Sequence, residues 1–249
     1  MESGKRESVR PAWTLTDGAW NGNACFIVGG GPSLKGFDWS LLANRRHVIV
    51  INRAVLDVPT AGVFFTEDFQ VIELFSKRKE WWDFQGYKVF HALDKSYVKP
   101  MLDIDPGLFV VERKRDDKYW SKSMGEGLSY SSNSMIGALN LADILTADPI
   151  FILGLDCVRY GGAAKVRNYH TDYEAAKFQR TGDHQYEAFA SDFKLWAALH
   201  LKHRRVYNLN KDSEVSAWPK WPGTYDEFFK AGCPTDEASF EKPYCWSAV

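Results

Sequence analysis

The stretch that most constrains this chain is residues 24–34, Ala-Cys-Phe-Ile-Val-Gly-Gly-Gly-Pro-Ser-Leu. Its apolar part, residues 25–28, is typical of a short strand that is buried on both faces. Glycines let another group approach the backbone, Pro32 suits a first helical position, and Ser33 can cap a helix. A strand, a glycine turn and a helix start together present free backbone N–H groups to an anion. We therefore predict a nucleotide- or phosphate-binding turn, with a ligand-free tight turn as the alternative, at Gly29, Gly30, Gly31, Pro32 and Ser33.

Composition narrows the class of protein. The chain has 249 residues, of which 45% are hydrophobic, and this length suits one large α/β domain. Its formal net charge of −1 provides no broad positive surface, so we expect no membrane partner and no strong nonspecific binding of nucleic acid. A basic patch at residues 202–205 keeps nucleic acid open as a partner, and the sequence is also compatible with a homo-oligomer.

The cysteines and the first residues predict a cellular location. The cysteines are widely spaced, at Cys25, Cys157, Cys233 and Cys245. Because none of them forms a C-x-x-C pair, neither a zinc knuckle nor a thioredoxin-type motif is predicted. Residues 1–10 are charged and lack the apolar segment of a signal peptide. We therefore expect reduced thiols and a cytoplasmic location.

Strand-like and helix-like segments alternate along the chain. Apolar runs predict strands over residues 25–28, 47–51, 62–66, 88–91, 108–112, 150–153 and 206–209. Apolar periodicity predicts helices over residues 70–82, 135–145 and 186–201. The alternation predicts an α/β, Rossmann-like fold, with a mostly parallel sheet and helices on both faces. We expect an N-terminal arm (1–23), a nucleotide-binding catalytic domain (24–216), and a tail rich in aromatic residues and proline that wraps the outside (217–249).

Polar side chains follow several predicted strands at the point where each strand ends. Because such sheets bind ligands beyond the carboxyl ends of their strands, we expect these side chains to converge on one cleft. Further polar residues precede the helix predicted from residue 135. The predicted nucleotide- or substrate-binding residues, besides the glycine turn, are Asn52, Arg53, Thr66, Asp68, Ser132, Asn133, Ser134, Gly154 and Asp156. Turn aspartates, helix caps and solvated charges are the structural alternatives for them.

Four segments share one resemblance. They are Gly-Gly-Gly-Pro-Ser-Leu (29–34), Ile-Asn (51–52), Gly-Leu-Asp (154–156) and Gly-Asp-His (182–184). In this order they resemble the bacterial sialyltransferases of glycosyltransferase family 42. The same turn and Gly-x-Asp strand end also resemble the archaeal-type 6-hydroxymethylpterin pyrophosphokinases, and relatives of this kind are also encoded by bacteriophages.

Resemblance to the sialyltransferases implies transfer of a sugar from a nucleotide-activated donor, such as a cytidine monophosphate sugar, to a hydroxyl acceptor. It implies that His184 takes the acceptor proton and that Tyr160 and Tyr169 donate hydrogen bonds to the leaving phosphate. A histidine suits proton transfer because its pKa lies near neutral pH. His170 stays open as the base and Tyr173 as a phosphate donor. The resemblance implies no required cofactor and no metal ligand.

Three other functions stay open. Resemblance to the pterin enzymes implies phosphoryl or pyrophosphoryl transfer from ATP to a small hydroxymethyl compound, with Mg²⁺ as cofactor. Asp103 and Asp105 have the D-x-D spacing of some metal sites, although the Pro-Gly that follows them favours a turn. The two remaining alternatives are sugar transfer to a hydroxymethylated DNA base and a non-enzymatic, nucleotide-binding accessory protein.

Overall fold

The computed structural model describes residues 13–112, 119–129, 133–157, 168–175 and 183–242, with the backbone alone for residues 174–175 and 183–186. The strands in this part of the chain are β1 (Cys25–Val28), β2 (Val48–Ile51), β3 (Val63–Thr66), β4 (Tyr87–Ala92), β5 (Leu108–Glu112), β6 (Ile150–Leu153) and β7 (Val206–Asn208). The α-helices are α1 (Phe69–Phe75), α2 (Lys79–Asp83), α3 (Val98–Ile104), α4 (Ser134–Ile144), α5 (Asp172–Ala175), α6 (Asp183–His200) and α7 (Tyr225–Lys230). None of these helices has the length and apolar character that crossing a membrane requires.

The described strands form one parallel sheet of seven strands, in the order β5-β4-β3-β2-β1-β6-β7. Every strand pairs in parallel with its neighbours. Each strand predicted from an apolar run is present, and its ends lie within one residue of the predicted ends. The sheet confirms the prediction of an α/β, Rossmann-like fold.

Both faces of the sheet are buried, because alternate strand residues point to opposite sides. On one face Ile27, Ile49 and Phe65 pack with residues of α4 and α6. On the other face Phe26 and Phe64 pack with residues of α1, α2, α3 and α7. A strand that is covered on both sides needs no polar face, which explains the uninterrupted apolar runs of the sequence. Helices on both faces of the sheet are thereby confirmed.

The helix predicted over residues 70–82 is two helices in the structure, α1 and α2. Phe75 ends α1 and Trp81 lies in α2, and both side chains are fully buried against the same face of the sheet. On one continuous helix, two residues six positions apart would point about 120° away from each other. The break at residues 76–78 lets both aromatic rings enter one core, which a single helix could not do.

The C-terminal residues contribute to the core. Trp218, Phe228 and Phe240 are buried, and Phe228 contacts Phe151 of β6 with ring centroids 4.9 Å apart. A capping box starts α7: Thr224 accepts from the N–H of residue 227, and the carboxylate of that residue accepts from the Thr224 N–H. These three aromatic residues of the tail are therefore core residues, whereas the predicted wrapping of the outside by the tail stays a prediction.

The described part of the predicted N-terminal arm packs against the sheet domain. Trp20 is buried, and the Gly18 N–H donates to the carbonyl oxygen of Ile144 at the end of α4. The Tyr87 hydroxyl donates to the backbone oxygen of Trp13 at 2.7 Å. Residues 13–23 thus cover part of the same core as α4, while the predicted region boundaries stay predictions.

Candidate functional site

The candidate site begins where β1 and β6 lie side by side. The sheet continues from β1 to β2 on one side and from β6 to β7 on the other, and ligands of parallel sheets bind at such a switch point. The loops that follow the two strands touch each other. The Gly31 N–H donates to the Gly154 oxygen at 3.0 Å, and a Cβ on Gly29 would lie 2.8 Å from the same oxygen. The glycines therefore allow two loops of the protein to approach each other.

The anion that the glycine turn holds is the Asp156 carboxylate. Ser33 donates to it from its backbone N–H at 3.0 Å and from its hydroxyl at 2.8 Å. Burial raises the pKa of Asp156, and the Ser33 hydrogen bonds oppose that shift. The turn continues into a three-residue 3-10 helix, Pro32–Leu34, which has no side-chain cap. The expectation that Ser33 caps a helix is wrong, because its hydroxyl is bonded to Asp156 instead.

A tyrosine from the C-terminal helix α7 holds both loops. The Tyr225 oxygen lies 2.8 Å from the Ser33 hydroxyl and accepts a hydrogen bond from the Gly154 N–H at 3.1 Å. It therefore joins the turn after β1 to the turn after β6. The sequence analysis missed this residue, although the Thr-x-x-Glu capping box before it predicts a helix at that point.

We expect Tyr225→Phe to lower the free energy of unfolding by about 1–3 kcal/mol, because the Gly154 N–H loses its hydrogen-bond acceptor. Urea unfolding of the two proteins measures the difference. Tyr97→Phe is the matched control, since Tyr97 is exposed and a surface change of this kind alters stability by about 0.5 kcal/mol or less. Equal losses in the two variants would contradict the role of Tyr225 in joining the loops.

The predicted residues after β2 and β3 meet at the same edge of the sheet. The Thr66 hydroxyl donates to Asn52 Oδ1 at 2.7 Å, and Asn52 Nδ2 donates to Asp68 Oδ2 at 3.3 Å. Asn52 has a positive φ of 53°, a conformation that asparagine tolerates better than most residues. We call these three side chains the β2–β3 cluster. Their convergence is what the position of each at a strand end predicts.

A buried acid–histidine pair lies next to this cluster. Glu67 Oε1 is 2.9 Å from His91 Nδ1, and the His91 ring is fully buried. Its Nε2 atom has no hydrogen bond with the described residues. The sequence analysis did not single out His91, although a histidine inside an otherwise apolar strand was the available signal. The pair holds Glu67 at the carboxyl end of β3.

Residues 168–173, which we call the strap, cross the carboxyl ends of β1 and β2. The Tyr169 N–H donates to the Gly30 oxygen at 3.3 Å, and the Tyr173 hydroxyl accepts from the Arg53 N–H at 3.2 Å. Burial raises the pKa of both phenols, so both keep their protons at neutral pH. The Tyr169 hydroxyl donates its proton to Asp57 Oδ2 at 2.7 Å, so it is engaged within the protein and is not free for the leaving phosphate that the resemblance assigns to it.

Arg53, a predicted phosphate ligand, is ion-paired within the protein. Its Nε lies 2.8 Å from Asp172 Oδ2, and its Nη1 contacts Asp57. Arg78 contacts the other oxygen of Asp172. Burial opposes the charge of Arg53, but hydrogen bonds with the two aspartates outweigh burial and raise its pKa. These ion pairs attach the strap to the segment after β2.

His170, the alternative base, lies inside the strap. Its ring packs edge-on against Tyr173, with centroids 4.6 Å apart, and its side chain is 5% exposed. Neither ring nitrogen has a hydrogen bond with the described residues. Burial, and then the charge of Arg53, lowers the pKa of His170 to about 4. The ring is therefore neutral at neutral pH and is shielded from solvent.

The start of α4 lies against the glycine turn. Asn133 caps this helix by accepting from the N–H groups of Met135 and Ile136. The Cε of Met135 lies 3.1 Å from a Cβ built on Gly29. The glycine turn is thus contacted both by Met135 of α4 and by Tyr169 of the strap. Asn133 Nδ2 is buried there without a hydrogen bond to the described residues.

Some predicted residues lie elsewhere or outside the described residues. Tyr160 and Ser132 are outside them, and His184 lies in the first turn of α6, where the structure describes only the backbone. Asp103 contacts Lys99 on the surface. Asp105 is buried with Lys88 at the amino edge of the sheet, opposite the cleft. The D-x-D pair therefore does not belong to the candidate site, and the described residues contain no group that could hold a metal ion.

Comparisons with known proteins add one finding. No family model matches this chain, and no curated protein matches it. The solved structure of the MAf glycosyltransferase from Magnetospirillum magneticum AMB-1 is similar to it, with a TM-score of 0.40 and 16% sequence identity. The similarity covers 65% of this chain, which spans 27% of the length of that protein. The assignment of a Rossmann-like fold rests on the parallel sheet of this chain itself.

Proposed function

We propose that this protein is a glycosyltransferase that binds a nucleotide-activated sugar in a cleft between the strap and α4. The observation that carries the proposal is the β2–β3 cluster, where Asn52, Thr66 and Asp68 are joined by hydrogen bonds at the carboxyl edge of the sheet. Side chains from separate strand ends converge there beside the switch point, the place where parallel sheets bind nucleotides. The sequence resemblance to glycosyltransferase family 42 supplies the type of reaction.

The charges of the cleft favour one orientation of the nucleotide. Glu67 and Asp68 follow β3 directly, and neighbouring carboxylates repel a phosphate group. Ribose hydroxyls or a base amine can instead donate hydrogen bonds to carboxylates. We therefore orient the nucleoside toward the β2–β3 cluster and the phosphate away from these two carboxylates.

The transfer needs a group that accepts the acceptor's proton. The sequence resemblance assigns this role to His184, and the His184→Ala variant tests that assignment. Cytidine monophosphate sugars stay the predicted donors. Neither a required metal ion nor a required cofactor belongs to this proposal.

Binding of a nucleotide is the first test of the proposal. We expect one among CMP, UMP and AMP, or their sugar conjugates, to stabilise the protein by about 2.7 kcal/mol at 100 times its dissociation constant. Thermal unfolding with each ligand measures this, and released nucleotide then measures turnover. A chain that binds a nucleotide but turns over no donor would support the accessory-protein alternative. Strict Mg²⁺ dependence with ATP would support the pyrophosphokinase alternative.

Asn52→Gly is the variant that tests the location of the nucleotide. Glycine keeps the positive φ of residue 52 but removes the amide that joins the cluster. We expect the nucleotide to bind at least about tenfold more weakly, which corresponds to about 1.4 kcal/mol. Asn23→Gly is the control, because Asn23 is exposed at the opposite, amino end of β1. Equal nucleotide affinity in both variants would place the ligand elsewhere.

A further inference from the structure

Helix α6 carries large apolar side chains on two opposite faces. Phe193 and Trp196 on its inner face are buried against the sheet. Leu195 and Leu199 are 50% and 56% exposed, and because they are four positions apart, they lie one turn apart on the same outer face. Among the described residues, the other large hydrophobic side chain that is exposed is Tyr97. Packing of α6 against the sheet therefore does not explain why two leucines occupy its outer face.

Small side chains continue this outer face toward the start of the helix. Ala188 and Ser191 are exposed, and they precede Leu195 by seven and four positions. Intervals of three and four residues keep side chains on one face, which is the spacing found in helices that pack against another helix. We call Ala188, Ser191, Leu195 and Leu199 the outer stripe. Its small residues leave grooves beside its leucines, into which the side chains of a second helix can pack.

Charged residues at the two ends of the outer stripe have opposite signs. Glu187 is exposed in the second turn of α6, and Lys202 is exposed two residues beyond the end of the helix. Leu195 lies midway between them, eight positions after the first and seven before the second. A second α6 that runs antiparallel and crosses at Leu195 therefore brings opposite charges together at both ends of the contact. A parallel helix would bring like charges together, which repel each other.

We propose that the outer stripe joins two copies of this chain in an antiparallel dimer with two-fold symmetry. In such a dimer the same surface of both copies forms the contact, so positions equally far from the axis meet. Leu195 packs against the partner's Leu195 on the axis. Leu199, four positions later, packs against the partner's Ser191 and the partner's Ala188. The dimer does not depend on the proposed glycosyl transfer.

The size of the outer stripe determines how strong this dimer is. Helix α6 has 18 residues, so it is about 27 Å long and about 10 Å wide. A contact along one face of such a helix buries less than the area of about 1,200 Å² at which the range of stable interfaces begins. We therefore expect a weak dimer, with a dissociation constant of about 10–100 μM.

Leu195→Asp tests the surface that forms the dimer. The two-fold axis places the two new carboxylates against each other, so the dissociation constant of the dimer should rise at least about tenfold. Sedimentation velocity of the full chain over about 1–500 μM measures that constant. Tyr97→Asp is the matched control, because Tyr97 is exposed and stacks on Phe69 of α1, on the other side of the sheet. The control should dimerise like the unchanged protein, and urea unfolding of dilute samples checks that both variants stay folded.

Exchange of the two charges tests the antiparallel direction. Glu187→Lys and Lys202→Glu each place like charges together at both ends of the contact. Each alone should therefore weaken the dimer by about three- to tenfold. Combined in one chain, the two substitutions restore opposite charges, so the dissociation constant should return to that of the unchanged protein. A combined variant that dimerises no better than the single variants overturns the antiparallel arrangement.

Two further results would overturn the dimer itself. If the unchanged protein stays monomeric up to about 500 μM, no second copy occupies the outer stripe, and a different protein or another segment of this chain is left as its occupant. If Leu195→Asp dimerises as well as the unchanged protein, the dimer uses another surface. Because none of these measurements involves a sugar nucleotide, failure of the dimer leaves the proposed function standing, and the reverse also holds.

Discussion

Gly31→Ala should destabilise the protein by about 3 kcal/mol, at the upper end of the losses that overpacking causes. A Cβ on this residue would lie 1.8 Å from Asp156 Oδ2 and 2.6 Å from the Gly154 carbonyl oxygen. The second of these atoms belongs to the backbone, so a side-chain rotation cannot remove the clash. Since the φ of Gly31 is −66°, the loss is steric and does not arise from a backbone conformation that alanine avoids. Urea unfolding measures the difference.

Gly125→Ala is the matched control for this experiment. A Cβ there would meet only the Ser123 hydroxyl, at an ordinary distance of 3.9 Å. Its stability should stay within about 0.5 kcal/mol of the unchanged protein. If Gly31→Ala unfolds at the same urea concentration as the control, the close contact between the loops after β1 and β6 does not exist in solution. The floor of the proposed cleft would then have a different shape.

Asp105→Ala should destabilise the protein by about 3–5 kcal/mol, the usual loss when one partner of a buried ion pair is removed. Asp105 Oδ2 accepts from Lys88 Nζ at 2.6 Å and from Trp81 Nε1 at 2.8 Å. Its Oδ1 accepts from the Gly107 N–H at 2.9 Å. Alanine leaves the buried Lys88 charge and the buried indole N–H without this acceptor. Thermal or urea unfolding at neutral pH measures the loss.

The other aspartate of the D-x-D segment provides the control for Asp105→Ala. Asp103 is exposed and contacts Lys99, also exposed, and pairs of this kind contribute about 0–1 kcal/mol. Asp103→Ala should therefore leave the urea midpoint nearly unchanged. Similar losses in the two variants would contradict the buried pair, whereas loss of activity in both, without loss of stability, would support a metal site.

The difference in the free energy of unfolding between the unchanged protein and the Asp105→Ala variant should depend on pH. Burial opposes ionisation of Asp105, but its hydrogen bond with Lys88, the charge of Lys88, and its hydrogen bonds with Gly107 and Trp81 together outweigh burial and lower its pKa. A carboxyl group with a lowered pKa stabilises the folded state above its unfolded pKa and loses that contribution as pH falls through the folded pKa. Burial lowers the pKa of Lys88 in turn. The difference should therefore be largest near neutral pH and shrink in acid.

Part of the candidate site can be predicted from the positions at which the strands end. In a parallel sheet all carboxyl ends lie at one edge, so residues placed just after separate strands must come close together. Asn52 after β2 and Asp68 after β3 are joined in this way, although they are 16 positions apart in the chain. Asn133 was predicted before a helix, and it caps α4. These positions depend on local pattern and topology, which a sequence carries.

Contacts between distant segments could not be predicted. Nothing near Gly31 in the chain indicates that the anion in its turn is Asp156, whose carboxylate bonds Ser33 across 123 positions. Nothing near Arg53 indicates that Asp172 of the strap neutralises it, 119 positions away. The sequence predicts in each case a group able to bind an anion. The protein itself supplies that anion, because the fold brings a carboxylate to it.

The amino-acid sequence by itself determined the parallel sheet, its strands and the edge at which polar residues lie. Strands that are buried on both faces consist of uninterrupted apolar residues, and such runs can be recognised in a sequence. Only the tertiary structure decided which of those polar side chains form hydrogen bonds or ion pairs with other residues of the protein. Asp156 and Arg53 are bonded to partners from distant segments. The reason is physical: hydrogen bonds and ion pairs depend on distances of a few ångströms, and packing sets those distances.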